Sequence, residues 1–248
     1  MRKTHLVKYI LLTSIRSKLY YGIFVLLFIV FGISNFIGST ALSEEIKMQL
    51  VYFAGGIRFI IIGGIVIFVC FYIGKSFDNK EIEFILSKNI TRNEFVFILW
   101  ISFCIIGIAL LLSAIILLSL YQQSFVGNFL WSLSMVFEIL IVITFAITIS
   151  LAFKNAFNSI LSTFSFYFIS RMFGFFTYSI DLSKYNDFLS LLLKTLSMFF
   201  PRLDLFAKSE WLIYGLNNPQ EYYIIVVQSV IYIPLLMFIA FHDFNKKY

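Results

Sequence analysis

Six apolar runs, each about as long as a helix needs to be to cross a bilayer, set the terms for this chain. A membrane-spanning helix takes about 20 mostly apolar residues. The runs cover residues 20–38 ("YYGIFVLLFIVFGISNFIG"), 51–74, 95–120, 130–153, 158–176 and 222–241 ("YYIIVVQSVIYIPLLMFIAF"). Hydrophobic residues make up 60% of the chain and charged residues 13%, with 32 Phe. Soluble domains sit near about 45–50% and about 25%. The solvent for most of these side chains is therefore lipid. The expected fold class is all-α: one polytopic integral membrane domain, 1–248, with about six transmembrane helices.

The first run follows a basic head and precedes a small-residue stretch, "STALS", as a cleaved signal peptide would. The head is long, however, and the run exceeds the 7–15 residues usual for such segments. An uncleaved first span is the better reading. The head, 1–19, places Val7, Ile10, Leu11 and Ile15 at helical spacing among Lys8, Arg16 and Lys18. It reads as an amphipathic helix in the headgroup plane; a plain basic lead-in is the alternative.

Basic residues orient the spans. With the head inside, six crossings place the 75–94 loop, Lys154 and the tail "HDFNKKY" on the same side. That side collects twelve Lys or Arg, whereas the other has Lys47 and four in the 177–221 loop, where five acids balance them. The bias obeys the positive-inside rule, so the net charge of +6 marks a membrane face and not a nucleic-acid surface. Within 177–221, the piece "FLSLLLKTLSMFFP" is too short to cross and reads as buried or re-entrant, with Pro201 ending a helix.

Three ionisable residues lie well inside the runs: Arg58, Glu138 and Arg171. Each falls roughly 10 Å below the outer face at 1.5 Å per residue. A lone charge at that depth is costly and marks a functional site by default. Glu138 is therefore expected to pair with Arg58 or Arg171; the alternative is that the arginines snorkel outward and Glu138 is neutral or lies near a cavity. Gly55, Gly56, Gly63 and Gly64 are expected on one face of the second span, allowing close helix approach. Tyr20, Tyr21, Trp131, Trp211, Tyr222 and Tyr223 fall near run ends, as interfacial aromatic belts do. Cys70 and Cys104 sit in apolar runs without metal or disulfide spacing, His5 and His242 lie at opposite ends, and no catalytic set is present. "IGKS", 73–76, lacks the upstream Gly and strand of a phosphate-binding loop. Neither a metal nor a cofactor site is expected, and the chain does not read as an enzyme.

The loop "KSFDNKEIEFILSKNITRNEF", 75–95, gathers eight charged side chains. Asp78 is placed to cap a helix with Glu81 at its third position. Ile82, Ile85 and Leu86 share one face, while Glu81, Glu83 and Lys88 lie largely away from it. Thr91 and Glu94 form a capping-box pattern just before the third run. The charged face is either simply solvated or a docking surface for a soluble partner.

The segment "EFILSKNITRNEF" resembles the stretch "LLLSRPISRREF" of the permease subunits of ABC-2 type ABC transporters. Leu86–Ser87, the basic Lys88, Ile90, and Thr91, Arg92 and Glu94 match in order. The resemblance extends weakly to the head, to "FFPRLDLF" and to "FHDFNKK". Asn89 replaces the family's frequent Pro, and Lys80–Glu81 stand where it has Gly-Thr. The family places this stretch between the second and third of six spans, on the cytoplasmic side. The resemblance implies a permease without ATPase of its own, ATP being bound by a separate ABC ATPase subunit. It implies a second permease copy, as homo- or heterodimer, and a short cytoplasmic coupling helix with Glu81, Glu83, Ser87, Lys88, Arg92 and Glu94 at the ATPase contact. It further implies a bacterial inner (plasma) membrane location with both termini cytoplasmic, membrane lipids as surroundings, no nucleic-acid partner, and export more than import. A secondary transporter and a non-transporting scaffold or immunity protein are the alternatives.

Overall fold

The computed structural model describes residues 3–41, 44–88, 90–121, 124–182, 200–215 and 219–247. Among these, the chain forms nine α-helices and one 3-10 turn, with no strand. In order they are α1 (Lys3–Ile15), α2 (Lys18–Ser39), α3 (Glu45–Asp78), α4 (Glu81–Leu86), α5 (Arg92–Leu118), α6 (Phe125–Phe153), α7 (Ala156–Leu182), the 3-10 turn (Leu203–Leu205), α8 (Glu210–Tyr214) and α9 (Pro219–Lys247). The apolar piece expected to be buried or re-entrant lies mostly in 183–199, outside the described residues.

Among the described residues, five helices are long and apolar enough to cross a membrane: α2, α3, α5, α6 and α9. The expected run at 158–176 is carried by α7, which is 27 residues long. It interleaves Asn158, Ser159, Ser162, Thr163, Ser165 and Arg171 with its apolar residues and falls outside that set.

Helix ends follow local chemistry. Thr91 Oγ1 accepts from the Glu94 N–H while Glu94 Oε2 accepts from the Thr91 N–H, the capping box that starts α5. Asp78 does not cap α4. It is the last residue of α3, and the reversal is made by Asn79 and by Lys80 in the left-handed region at φ 56°. α3 simply continues through "KSFD", so the first turn of α4 has no side-chain cap. α6 ends at Lys154, also left-handed at φ 57°, and Asn155 Oδ1 accepts from the Phe157 and Asn158 N–H groups to open α7.

The bundle is built on α3 and α6. Both are apolar on all sides, the pattern of a helix enclosed by others. α3, at 34 residues, packs on α2, α5, α6 and α7; α6 packs on α3, α5, α7 and α9. α2 is apolar all round too, yet it leaves Val25, Phe28, Ile29, Ile33 and Phe36 exposed. In water such a face would be a liability; against lipid it is the ordinary state.

α2 lies close on α3 because two glycines make room. Gly56 faces Val30, and a Cβ on Gly64 would come within 2.5 Å of Ile23 Cδ1. Gly55 opens on empty space, and the nearest atom to a Cβ on Gly63 is Phe164 Cζ at 3.9 Å. The four glycines thus do not act as one face, because adjacent helix positions point in different directions. At the far end of this hairpin the Tyr121 hydroxyl donates to Asn35 Oδ1 at 2.8 Å and lies 3.1 Å from Ser34 Oγ. Burial pushes that phenol above its ordinary pKa, partly offset by the Ser34 contact.

α1 packs against α5 through Leu6, Ile10 and Ser14, all buried. Ile15, expected on its apolar face, is half exposed, as are Tyr9 and Leu12. The protein-facing stripe runs at spacing four from Leu6, one position off the expected one. Cys70 and Cys104 are buried free thiols.

Gly64→Val should destabilise the protein by about 1–3 kcal/mol through overpacking against Ile23. Gly55→Ala, with open space at its Cβ, should fall within about 0.5 kcal/mol of the parent. Thermal unfolding in one detergent compares the two; equal midpoints would mean α2 is not seated on Gly64.

Candidate functional site

Two places concentrate polar chemistry, one inside the bundle and one at the end that carries α1 and α4. The first is centred on Glu138 of α6, which is 0% exposed. Three helices deliver its neighbours. Tyr167 of α7 donates its hydroxyl to Glu138 Oε1 at 2.9 Å, and Arg171, one turn on, donates from Nη1 to the same oxygen at 3.3 Å. From α3, Arg58 brings Nε to 3.4 Å from Glu138 Oε2. That contact is coulombic, since neither atom has a hydrogen-bond partner. The structure therefore brings together all three charges that the sequence singles out, with Glu138 between two arginines and not paired with one.

Two guanidinium groups against one carboxylate leave a positive excess, and burial makes such an excess costly. The 200–215 segment answers it with backbone carbonyls. Arg171 Nη1 donates to Leu203 O at 2.9 Å, and Arg58 Nη2 donates to Phe206 O at 3.0 Å. The same segment is fastened to α6: Trp131 Nε1 donates to Ala207 O at 3.0 Å, and the Ala207 N–H donates to Ser134 Oγ at 2.9 Å. Ala207 holds φ at 46°, a left-handed turn that presents both of its backbone groups to α6. Arg202 Nη2 pairs with Asp204 Oδ2 at 3.1 Å, and the Arg202 N–H donates to Gln228 Oε1 of α9 at 3.2 Å. Leu203, Leu205, Phe206 and Ala207 are all buried. The segment is thus a cap set into the end of the bundle, held by side chains from α3, α6, α7 and α9.

This cap corrects the aromatic reading. Trp131 is 0% exposed and Trp211 is also buried, so neither belongs to an interfacial belt. The cap covers Trp131 and contains Trp211, and Gly127 of α6 leaves room for the Trp211 carbonyl. Tyr21 and Tyr223 are exposed. Tyr167 and the two carbonyl acceptors were not foreseen. Tyr167 stands four residues before Arg171 on one helix face, a spacing that could have flagged it; backbone acceptors leave no trace in a sequence.

The second place is α4 and its surroundings. Ile82 is buried, while Phe84 is 63% exposed beside exposed Glu83, Ser87 and Lys88. Lys88 Nζ lies 4.1 Å from the centre of the Phe84 ring, a cation–π contact. Glu81 Oε2 accepts from Ser76 Oγ at 3.3 Å, and Ser87 Oγ donates to Phe84 O at 2.8 Å. Glu94 serves the capping box. Arg92 Nη1 donates to Asn245 O at 3.1 Å, and Asn245 Nδ2 donates to Asn93 Oδ1 at 2.8 Å. Phe95 and Phe244 stack at 5.9 Å, and Lys247 Nζ donates to Ala152 O at 3.0 Å. The end of α9 therefore clamps the start of α5 and the end of α6. Of the six sequence-selected residues here, Glu83 and Lys88 project outward, whereas Glu81, Ser87, Arg92 and Glu94 make contacts within the fold. An open cleft of about 600 Å³ lies between Glu83, Leu86, Thr91, Asn93 and Asn245.

Among the described residues no group of three or more His, Cys, Asp or Glu is placed to hold a metal ion. No family model and no curated protein matches this sequence.

Glu138→Gln should cost about 3–5 kcal/mol, because it leaves two guanidinium groups facing each other without a counter-charge. Arg171→Gln should cost less, since that side chain is 30% exposed and Glu138 keeps Arg58. Glu138→Gln combined with Arg58→Met should be less damaging than the sum of the two. A double-mutant cycle on thermal midpoints measures this; strict additivity would show that the contact carries no coupling.

Proposed function

We propose that the chain is the membrane-spanning permease subunit of an ABC transporter of the ABC-2 type, moving its substrate with ATP hydrolysed by a separate nucleotide-binding subunit. The observation that carries this reading is α4. A six-residue helix between the second and third apolar helices keeps its aliphatic face on the bundle and turns Phe84, Glu83 and Lys88 outward. The stretch that carries it is also the one that resembles the ABC-2 permease motif. An aromatic flanked by opposite charges is the composition of an interface core with a polar rim.

In this reading α7 is the sixth crossing. Two of its polar side chains, Tyr167 and Arg171, turn toward Glu138, which lowers the cost of placing them at depth. Six crossings would put both termini and α4 on one side, and the Lys and Arg bias supports reading that side as cytoplasmic, the membrane being a bacterial inner membrane by the family resemblance. The ATPase then docks on α4, and a second permease copy completes the transporter. Export is the direction the family resemblance favours, and the substrate path runs between the two copies.

The test is co-expression with a Walker-A ATPase encoded beside this gene. Wild-type protein should co-purify with it and stimulate its ATP turnover. Glu83→Lys combined with Phe84→Asp leaves the Arg92–Asn245 clamp intact and should lower recovered ATPase at least about ten-fold, the effect of losing roughly 1.4 kcal/mol or more at an interface centre. Undiminished recovery, with the variant folded as judged by its thermal midpoint, would remove α4 from the docking surface.

A further inference from the structure

A groove of about 420 Å³ opens sideways between α2, α3 and α7, and it takes no part in the buried charge cluster or in the α4 surface. Its wall is apolar: Gly22, Ile23 and Leu26 from α2, Ile60, Gly63 and Gly64 from α3 among them. The volume lies in the range of small-molecule sites, about 300–1,000 Å³. A Cβ on Gly22 would meet nothing within 4 Å, and one on Gly63 would meet only the Phe164 ring, at 3.9 Å. The groove exists because these two positions carry no side chain.

Lys18 stands at one end. It is exposed, and no described side chain pairs with it. Arg16, two residues earlier, is also exposed, and Tyr21 beside the groove has the position of an interfacial aromatic. From Lys18 to Leu26 the helix rises about 12 Å, close to half of the roughly 30 Å hydrocarbon core. The groove therefore spans one leaflet, the leaflet on the side of the basic head, with its cation at headgroup level.

We propose that this groove is a binding site for one anionic membrane phospholipid, with an acyl chain lying over Gly22 and Gly63 and the phosphate against Lys18. The occupant is set by charge and depth together. A bare apolar seam would suit a second helix equally, but a lysine that no described side chain pairs with, at the headgroup end of a one-leaflet groove, complements a phosphate on an acyl chain. The site does not depend on the transport reading.

Native mass spectrometry of the delipidated full chain, titrated with phosphatidylglycerol or phosphatidylethanolamine, tests it. One phosphatidylglycerol should be held in preference to phosphatidylethanolamine. Lys18→Gln should weaken that retention about five-fold, and Lys18→Arg should preserve it. Gly22→Leu fills the groove and should weaken retention of both lipids. Gly32→Leu, on the same helix outside the groove and equally open at its Cβ, should leave retention unchanged. Equal retention by Lys18→Gln and wild type, or equal losses in Gly22→Leu and Gly32→Leu, would overturn the proposal in favour of unspecific surrounding lipid. Disulfide formation between copies carrying Leu26→Cys, undiminished by phosphatidylglycerol, would overturn it in favour of a second chain in the groove.

Discussion

A carboxylate without access to water, gripped from both sides by arginines, is the constraint around which this bundle is arranged. Glu138 cannot remain charged in an apolar interior alone, and neither can Arg58 or Arg171. Together they still carry one positive charge too many. The carbonyls of Leu203 and Phe206 absorb part of that excess, which is why a non-helical segment can sit so deep. Irregular backbone is tolerated at depth only where protein surrounds it. Here the arginines supply donors that the segment's carbonyls would otherwise lack, and Trp131 and Ser134 settle both backbone groups of Ala207. Cap and charge cluster are thus one structure: each satisfies groups that would be prohibitive in the other's absence.

The two polar regions are joined by α3. Arg58 and Asp78 lie on the same uninterrupted helix, about 30 Å apart at 1.5 Å per residue. α3 ends directly in the turn that starts α4, and its Ser76 holds Glu81. α4 is also bracketed from behind, because the end of α9 is tied to Arg92 and Asn93 at the start of α5. α4 is thus linked to the cap along α3 to Arg58 and, through the start of α5, along α9, which carries Pro234 between Asn245 and Gln228, the acceptor of the Arg202 N–H. In the proposed transporter this geometry makes a movement at the ATPase contact and an opening of the cap parts of one displacement.

Features governed by nearest neighbours were legible in the sequence. The apolar runs announced the long helices, Thr91 and Glu94 announced the start of α5, and the depth of Glu138 announced a charge partner. What escaped notice depends on distant chain. Asp78 looked like a cap because nothing in "KSFDNK" shows that α3 extends through it until Lys80 turns left-handed. Trp131 looked interfacial because its cover comes from residues 200–215, some 70 positions away. The arginines' second partners are backbone carbonyls, which any residue could provide. α7 was read as an ordinary span, yet its hydroxyls and Arg171 are affordable only because α3 and α6 flank it.

The same cluster bears on where the driving energy comes from. A carboxylate that takes up a sodium ion has to exchange its partner. Glu138 Oε1 already accepts from Tyr167 and Arg171, and Oε2 faces Arg58. A sodium ion bound there would have to displace a guanidinium into a site that is already net positive. That step raises the energy of the buried site, so a sodium ion at Glu138 would run against the electrostatics of the cluster. Work drawn from outside the membrane and delivered at α4 does not require Glu138 to change state. The cluster is thus compatible with the proposed transporter, in which the motor sits on a partner subunit and Glu138 keeps its partners.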